Sequence, residues 1–446
     1  MKDIQKALDL DYEYAVLGDE YLPSRFAVTD LATASFGAVG CALAQLVETM
    51  GFAKCPAVTV DRRLASLWYG FSIHPIDWQL PPVWDAIAGI YQTKDGWIRL
   101  HTNLPHHRAA ALSVIGTKAE RPDVAKVIAS WDKEKLETEI VAAGGVAAAM
   151  RTADEWARHP QGMAVAREPL IAWGETRQSA PKQWQPTRER PLAGLKVLDL
   201  TRVLAGPVAT RTLAGFGADV LRIDPPGWDE AIVVPEITLG KRCARLDLTL
   251  DTDRTVFENL LADADVLVHG YRPDALENLG YGETRRQSIA PDLIEVCLDA
   301  YGWTGPWRGR RGFDSLVQMS CGIADAGMKW ANADKPTPLP VQALDFGTGY
   351  LMAAAVLRAL DNMLAGKGTR NAKLSLARTA ELLKGHPQYR PEAAVMKTGS
   401  TDFADEAEQT PWGKANRLRP AVVIEGTLMY WDSPASELGA VRARWV

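Results

Sequence analysis

The chain has 446 residues, 47% of them hydrophobic and 24% charged, with a formal net charge of -5. This is the composition of a globular protein of about two to four domains, and its acidic balance argues against nucleic acid or an anionic membrane as a partner. Five scattered cysteines without a C-x-x-C pair fit free thiols in a reducing cytoplasm and no metal cluster. The start, MKDIQKALDLDYEY, lacks the apolar core of a secretory signal, and no run approaches the roughly 18 apolar residues of a membrane span.

In chain order, Thr29 to Met50 reads as a helix whose small residues (Ala32, Ala34, Gly37, Ala38, Gly40) admit another backbone at close range. VTVDRRLASLWYG reads as a strand followed by a helix start. GIYQTKDGWIRLHT has the signature of a β-hairpin turning at Lys94-Asp95-Gly96. PHHRAAALSVIG, RPDVAKVIASW and DKEKLETEIVAAGG are three amphipathic helices, and another helix begins near Thr152. Residues 174–190 lack periodicity and read as a linker.

The stretch from Pro191 to Gly227 organises the remainder. KVLDL is a buried strand, TRVLAGP a turn with Gly206 and Pro207, and a helix with Val208, Leu213 and Phe216 follows. ADVLRID is the second strand. This βαβ unit favours a parallel, doubly wound sheet, with a loop and helix N-terminus able to hold an anion. LAGPVATR carries one glycine where a dinucleotide fingerprint needs three, which argues against nicotinamide or flavin. Alternating elements continue to a long helix after LPVQALDFGTG, and residues 384–417 are polar with little apolar pattern.

Four ordered motifs, DLTRVLAGPVATRTLAGFGADVLRID, GKRCARLDL, ADVLVHGYRPDALENLGYG and YGWTGPWRGRRGFD, resemble the class III CoA-transferase family. That family includes formyl-CoA transferase, carnitine CoA-transferases and α-methylacyl-CoA racemase. The resemblance covers Leu192 to about Asp345. It implies an α/β fold: a Rossmann-like doubly wound parallel sheet, a smaller α+β domain, and two subunits threaded as interlocked rings. It also implies transfer of CoA between an acyl-CoA thioester and a carboxylic acid. CoA and acyl-CoA are then substrates, with no tightly bound cofactor and no metal. The alternatives on the same fold are an acyl-CoA racemase, isomerase or CoA-linked lyase, or a CoA-binding protein without catalysis.

An internal similarity bears on domain organisation. AVTDLATASFGAVGCALAQL, with Asp30, answers QALDFGTGYLMAAAVLRAL, with Asp345, and AVTVDRRLASLW answers AKLSLARTAELL at nearly the same offset. The expected division is residues 1–173 as a partial N-terminal copy with the small domain, 174–190 as linker, and 191–446 as the CoA-binding half. The expected assembly is a homodimer, or a pseudo-dimer within one chain.

By the resemblance, Asp345 attacks the thioester and forms an acyl-aspartyl anhydride and then an aspartyl-CoA thioester. Its neighbours Gly347-Thr348-Gly349 would form a turn offering N–H groups. The plainer reading is that Asp345 is the N-cap of its helix. Asp30 is expected to be a remnant capping its own helix. The resemblance places CoA against Val203, Leu204 and Ala205, with Arg222, Lys241, Arg242, Arg272 and Arg311 as cationic partners for phosphate. Phe313 stands where the racemase branch has a histidine base, which argues for transfer. His101, His106 and His107 read as surface residues.

Overall fold

Short apolar runs become a seven-stranded sheet in the computed structural model, which describes residues 2–179, 184–272, 274–388 and 396–446. The strand order is Lys241–Arg245, Asp219–Asp224, Lys196–Leu200, Val266–His269, Ile294–Asp299, Ala372–Ser375 and Ala172–Trp173. All neighbours are parallel except the last pair. The chain winds outward from Lys196–Leu200 to Lys241–Arg245, then crosses back to Val266–His269 on the other side. Where the winding reverses, an open parallel sheet leaves a crevice at the strands' carboxyl ends.

Both faces of the sheet are covered, which explains why its strands are almost continuously apolar. Val197, Val220, Val268 and Val296 pack into the main core with the helices Ala205–Gly215 and Ala343–Leu364. Leu198, Leu221, Ile223 and Leu267 face a second cluster with Phe257 and Leu261 of the helix Asp251–Asp263.

The main core is built on two 22-residue helices, Val28–Thr49 and Ala343–Leu364. Contrary to expectation, both are long and apolar enough to cross a membrane by length and composition, but 89% and 100% of their apolar windows are buried inside the protein. They pack on each other, with the Phe36 and Tyr350 rings 4.1 Å apart. The expected Gly347-Thr348-Gly349 turn is instead helix. A Cβ on Gly349 would lie 2.3 Å from the Ala205 carbonyl oxygen. That glycine lets the Ala343–Leu364 helix touch the backbone of the Ala205–Gly215 helix.

The hairpin Gly89–Thr93 and Gly96–Leu100 gains a third strand, Ala147–Ala149. The helices Pro105–Ile115, Arg121–Ile128 and Lys133–Ala142 cover it with a core of their own, including Ile98, Leu100, Val124 and Leu136. Val146, Ala148 and Met150 then meet Leu316 and Met319 of the helix Asp314–Ser320, seating this unit on the parallel-sheet half. GKRCARLDL, which carried no strand expectation, supplies the edge strand Lys241–Arg245. The polar 384–417 stretch contains the hairpin Glu408–Thr410 and Gly413–Arg417, which pairs with Ile73–Pro75. Farther on, Val422–Ile424 pairs with Val58–Asp61. In the expected linker, Arg177 bonds Leu293 and Asn371, while residues 180–183 lie outside the described residues.

Candidate functional site

Asp345 is the third residue of its helix, and Gln342 occupies the N-cap without a side-chain cap. The capping reading of Asp345 is therefore replaced. The carboxylate that caps this helix is Asp314, whose Oδ2 accepts the N–H groups of Leu344 at 2.8 Å and Asp345 at 3.0 Å. Gln318 donates to the other oxygen of Asp314. Asp345 is 7% exposed. Burial first, and then the charge of Asp314, holds its carboxyl well above the ordinary carboxylate range. Asp314 itself is pushed up to about 6 by burial, against the opposing pull of the helix N–H groups, Gln318 and Arg99.

Asp345 opens onto a cavity of about 390 Å³. Leu200 and Arg202 to Ala205 form one wall, Gly270 to Arg272 and Leu298 to Ala300 a second, and Arg310 to Phe313 a third. Leu104, His106 and His107 arrive from the N-terminal unit. The three sheet loops leave the carboxyl ends of Lys196–Leu200, Val266–His269 and Ile294–Asp299, so the cavity sits at the reversal of winding. Six of the expected residues meet here: Asp345, Val203, Leu204, Ala205, Arg272 and Arg311. Val203 has φ +65, an uncommon conformation for a β-branched residue, and its N–H is held by Glu230 at 2.9 Å.

Arg222, Lys241 and Arg242 do not line this cavity. Arg222 is fully buried, with Nε 2.8 Å from Asp224, and also pairs with Glu230. It thereby steadies the carboxylate that holds Val203. Lys241 bonds Asp199 at 2.9 Å and the Pro207 carbonyl at 3.0 Å, tying the first strand to the helix that follows it. Arg242 makes a forked contact with Asp219.

The cavity also contains residues that the sequence did not single out. Arg202 lies over Trp228, its guanidinium 4.2 Å from the ring centroid, and donates to the Tyr271 hydroxyl at 2.9 Å. Asp299 accepts the Gly302 N–H at 2.7 Å while its Oδ2 is buried without a partner among the described residues, and burial raises its carboxyl to about 7. Of the three histidines expected at the surface, His106 is exposed, but His101 and His107 are buried. His101 stacks on Phe313 at 3.8 Å, and the His107 ring stands 6.1 Å from Phe313, tilted by 69°. Burial, with His106 and Arg311 nearby, pushes His107 down to about 3. His269, Glu295 and Cys297 bring metal-ligating atoms within 4.8 Å of one another. Arg286, however, already grips both Glu295 oxygens at 2.8 and 2.6 Å, as in a structural ion pair.

Residues 192–404 match the family described as CoA-transferase family III. Acetyl-coenzyme A transferase nodX of Hypoxylon pulicicidum is 36% identical over 194 residues, covering 41% of this chain and 33% of that protein. The succinyl-CoA:glutarate CoA-transferase of Mus musculus is 31% identical, covering 40% and 44%. The formyl-CoA:oxalate CoA-transferase of Escherichia coli is 30% identical, covering 38% and 44%. A crystal structure of Rv3272 from M. tuberculosis is 29% identical, with a TM-score of 0.39 over 45% of this chain and 59% of that one. The chain thus spans from a third to under half the length of these three curated relatives. The likeness to CoA-transferase family III thus rests on residues 192–404, just under half of the chain.

Proposed function

We propose that this protein is an acyl-CoA:carboxylate CoA-transferase with Asp345 as its nucleophile. The observation that carries the reading is the position of Asp345. A carboxyl without a side-chain cap role faces a cavity at the carboxyl ends of the parallel strands, which Arg272 and Arg311 also line. Those two guanidiniums suit the phosphates of CoA. The Asp345 proton must leave before attack, because only the carboxylate is nucleophilic. One carboxylate oxygen then bonds to the thioester carbonyl carbon and the C–S bond breaks, giving an acyl-aspartyl anhydride and CoA thiolate. The thiolate attacks the aspartyl carbonyl of the anhydride. This releases the donor acid and leaves an aspartyl-CoA thioester, and the acceptor carboxylate runs the two steps in reverse.

Leu104, His106 and His107 share the cavity with Asp345, which supports a site completed by the N-terminal segment of the same chain. The matched helices around Asp30 and Asp345 support an origin by partial internal duplication, with the chain acting as a pseudo-dimer. Calorimetry of CoA binding to the full chain tests the reading. Arg272→Ala and Arg311→Ala should each weaken binding by about 1.5–3 kcal/mol. Arg222→Ala should act through folding, since its charge is met by Asp224 and Glu230. Unchanged CoA affinity in both cavity variants would remove this assignment. A racemase forms no acyl-enzyme, so trapping of an adduct separates that alternative.

A further inference from the structure

An acyl transfer at Asp345 places negative charge on the thioester carbonyl oxygen, which needs a hydrogen-bond donor. The start of the Asp345 helix would be the ordinary source, but its N–H groups are taken. Ala343 donates to Val341, Leu344 and Asp345 to Asp314, and Phe346 to Gln342. In the cavity wall, His107 is 2% exposed and neither ring nitrogen has a partner among the described residues. Its ring packs against Phe313, and the next residue, Asp314, binds the Asp345 N–H. The Trp228 N–H is also unpartnered among the described residues, but that ring lies under Arg202 beside Tyr271.

We propose that His107, contributed by the N-terminal unit, donates the hydrogen bond that stabilises the oxyanion formed on the acyl-CoA carbonyl. This rests on the reading of Asp345 as nucleophile. A neutral imidazole carries one N–H in either tautomer. Because burial and the nearby positive charges keep His107 neutral down to about pH 3, that donor is present throughout the physiological range. No proton is transferred. The N–H bonds to the oxyanion while the C–S bond breaks, and the contact relaxes as the anhydride carbonyl re-forms.

The test uses the full chain with acetyl-CoA and succinyl-CoA as probes. Single-turnover formation of the hydroxylamine-sensitive Asp345 adduct should fall about 10²- to 10³-fold in His107→Phe. His107→Gln, which keeps an N–H donor, should recover about tenfold or more of that loss. The second readout needs no turnover. In an Asp345→Asn background, the carbonyl stretch of bound [1-13C]acetyl-CoA should lie below its solution frequency, and adding His107→Phe should return it to the solution value. A His107→Phe protein that forms adduct within about threefold of the wild-type rate, with the carbonyl band still lowered, overturns the role of His107 and leaves the nucleophile intact. A wild-type chain that forms no Asp345 adduct from either probe overturns the nucleophile, and this inference with it.

Discussion

The helices carrying Asp30 and Asp345 begin alike and finish in different chemistry. Each has 22 residues with aspartate third, and the N-cap backbones agree at φ -75, ψ 62 and φ -76, ψ 63. Each is followed by a strand and a second helix whose N-cap, Asp61 or Ser375, accepts an N–H three residues on. The first residue of that second helix makes the difference. In one place it is Arg62, which holds a half-exposed Asp30 at 2.6 Å. In the other it is Leu376, which lines the cavity, and among the described residues Asp345 has no ion-pair partner. The same helix start thus yields a solvated ion pair or a buried carboxyl of raised proton affinity, according to what faces it.

The largest expected effect separates the two ends by activity. Asp345→Asn should lower acyl exchange between labelled CoA and acetyl-CoA by several orders of magnitude, as loss of a covalent nucleophile does. Asp30→Asn should stay within about twofold. Equal losses from the two variants, both folded by circular dichroism, would break the comparison.

A smaller effect concerns the acidity of Asp345. The charge of Asp314 keeps Asp345 protonated to higher pH, so Asp314→Asn, which can still accept the helix N–H groups, should let it ionise earlier. The rising limb of the pH–rate profile should then move to lower pH. Asp314→Ala, which also loses the cap, should cost about 1–3 kcal/mol in urea unfolding.

Asp299 gives a stability signature at the same cavity. Burial raises its carboxyl from the ordinary 3.8 to about 7, so the folded state holds a proton that the unfolded state releases between those values. Stability therefore falls as pH rises through that window, and the full penalty is present above about pH 7. Asp299→Asn should match wild type near pH 4 and exceed it at pH 8 by roughly 2–4 kcal/mol. A difference that does not change with pH would show that the carboxyl is not held in its neutral form.

The smallest effect belongs to the exposed pair. Arg62→Ala should cost at most about 1 kcal/mol, measured by thermal unfolding, and should leave acyl exchange unchanged.

The parallel sheet was legible because strands buried on both faces must be apolar, and KVLDL and ADVLRID say so directly. The long apolar helix that carries Asp345 was legible too, but its start was not, since Asp345 lies in the first turn rather than ahead of it. The basic residues were harder, since a strand's own periodicity decided them. Arg222 and Asp224 are two apart in one strand, so they share a face, and that spacing was the available signal for an internal ion pair. Lys241 and Arg242 sit on an edge strand that the polar run GKRCARLDL concealed. His106 and His107 are one step apart on a helix, so only one can face inward. Which one depends on how the N-terminal unit seats through Val146, Ala148 and Met150, a tertiary contact with no local pattern. Asp299 could not be told from an aspartate ending a strand, because its orphaned oxygen exists only once the cavity has formed.

The central claim is that Asp345, and not Asp30, carries the acyl group. The direct measurement is to incubate the full chain with [14C]acetyl-CoA or [14C]succinyl-CoA, quench with hydroxylamine, and locate the hydroxamate by peptide mass spectrometry. The account predicts the modification on the peptide containing Asp345 and none on the peptide containing Asp30. A hydroxamate on Asp30, or on neither aspartate while acyl exchange proceeds, would contradict it.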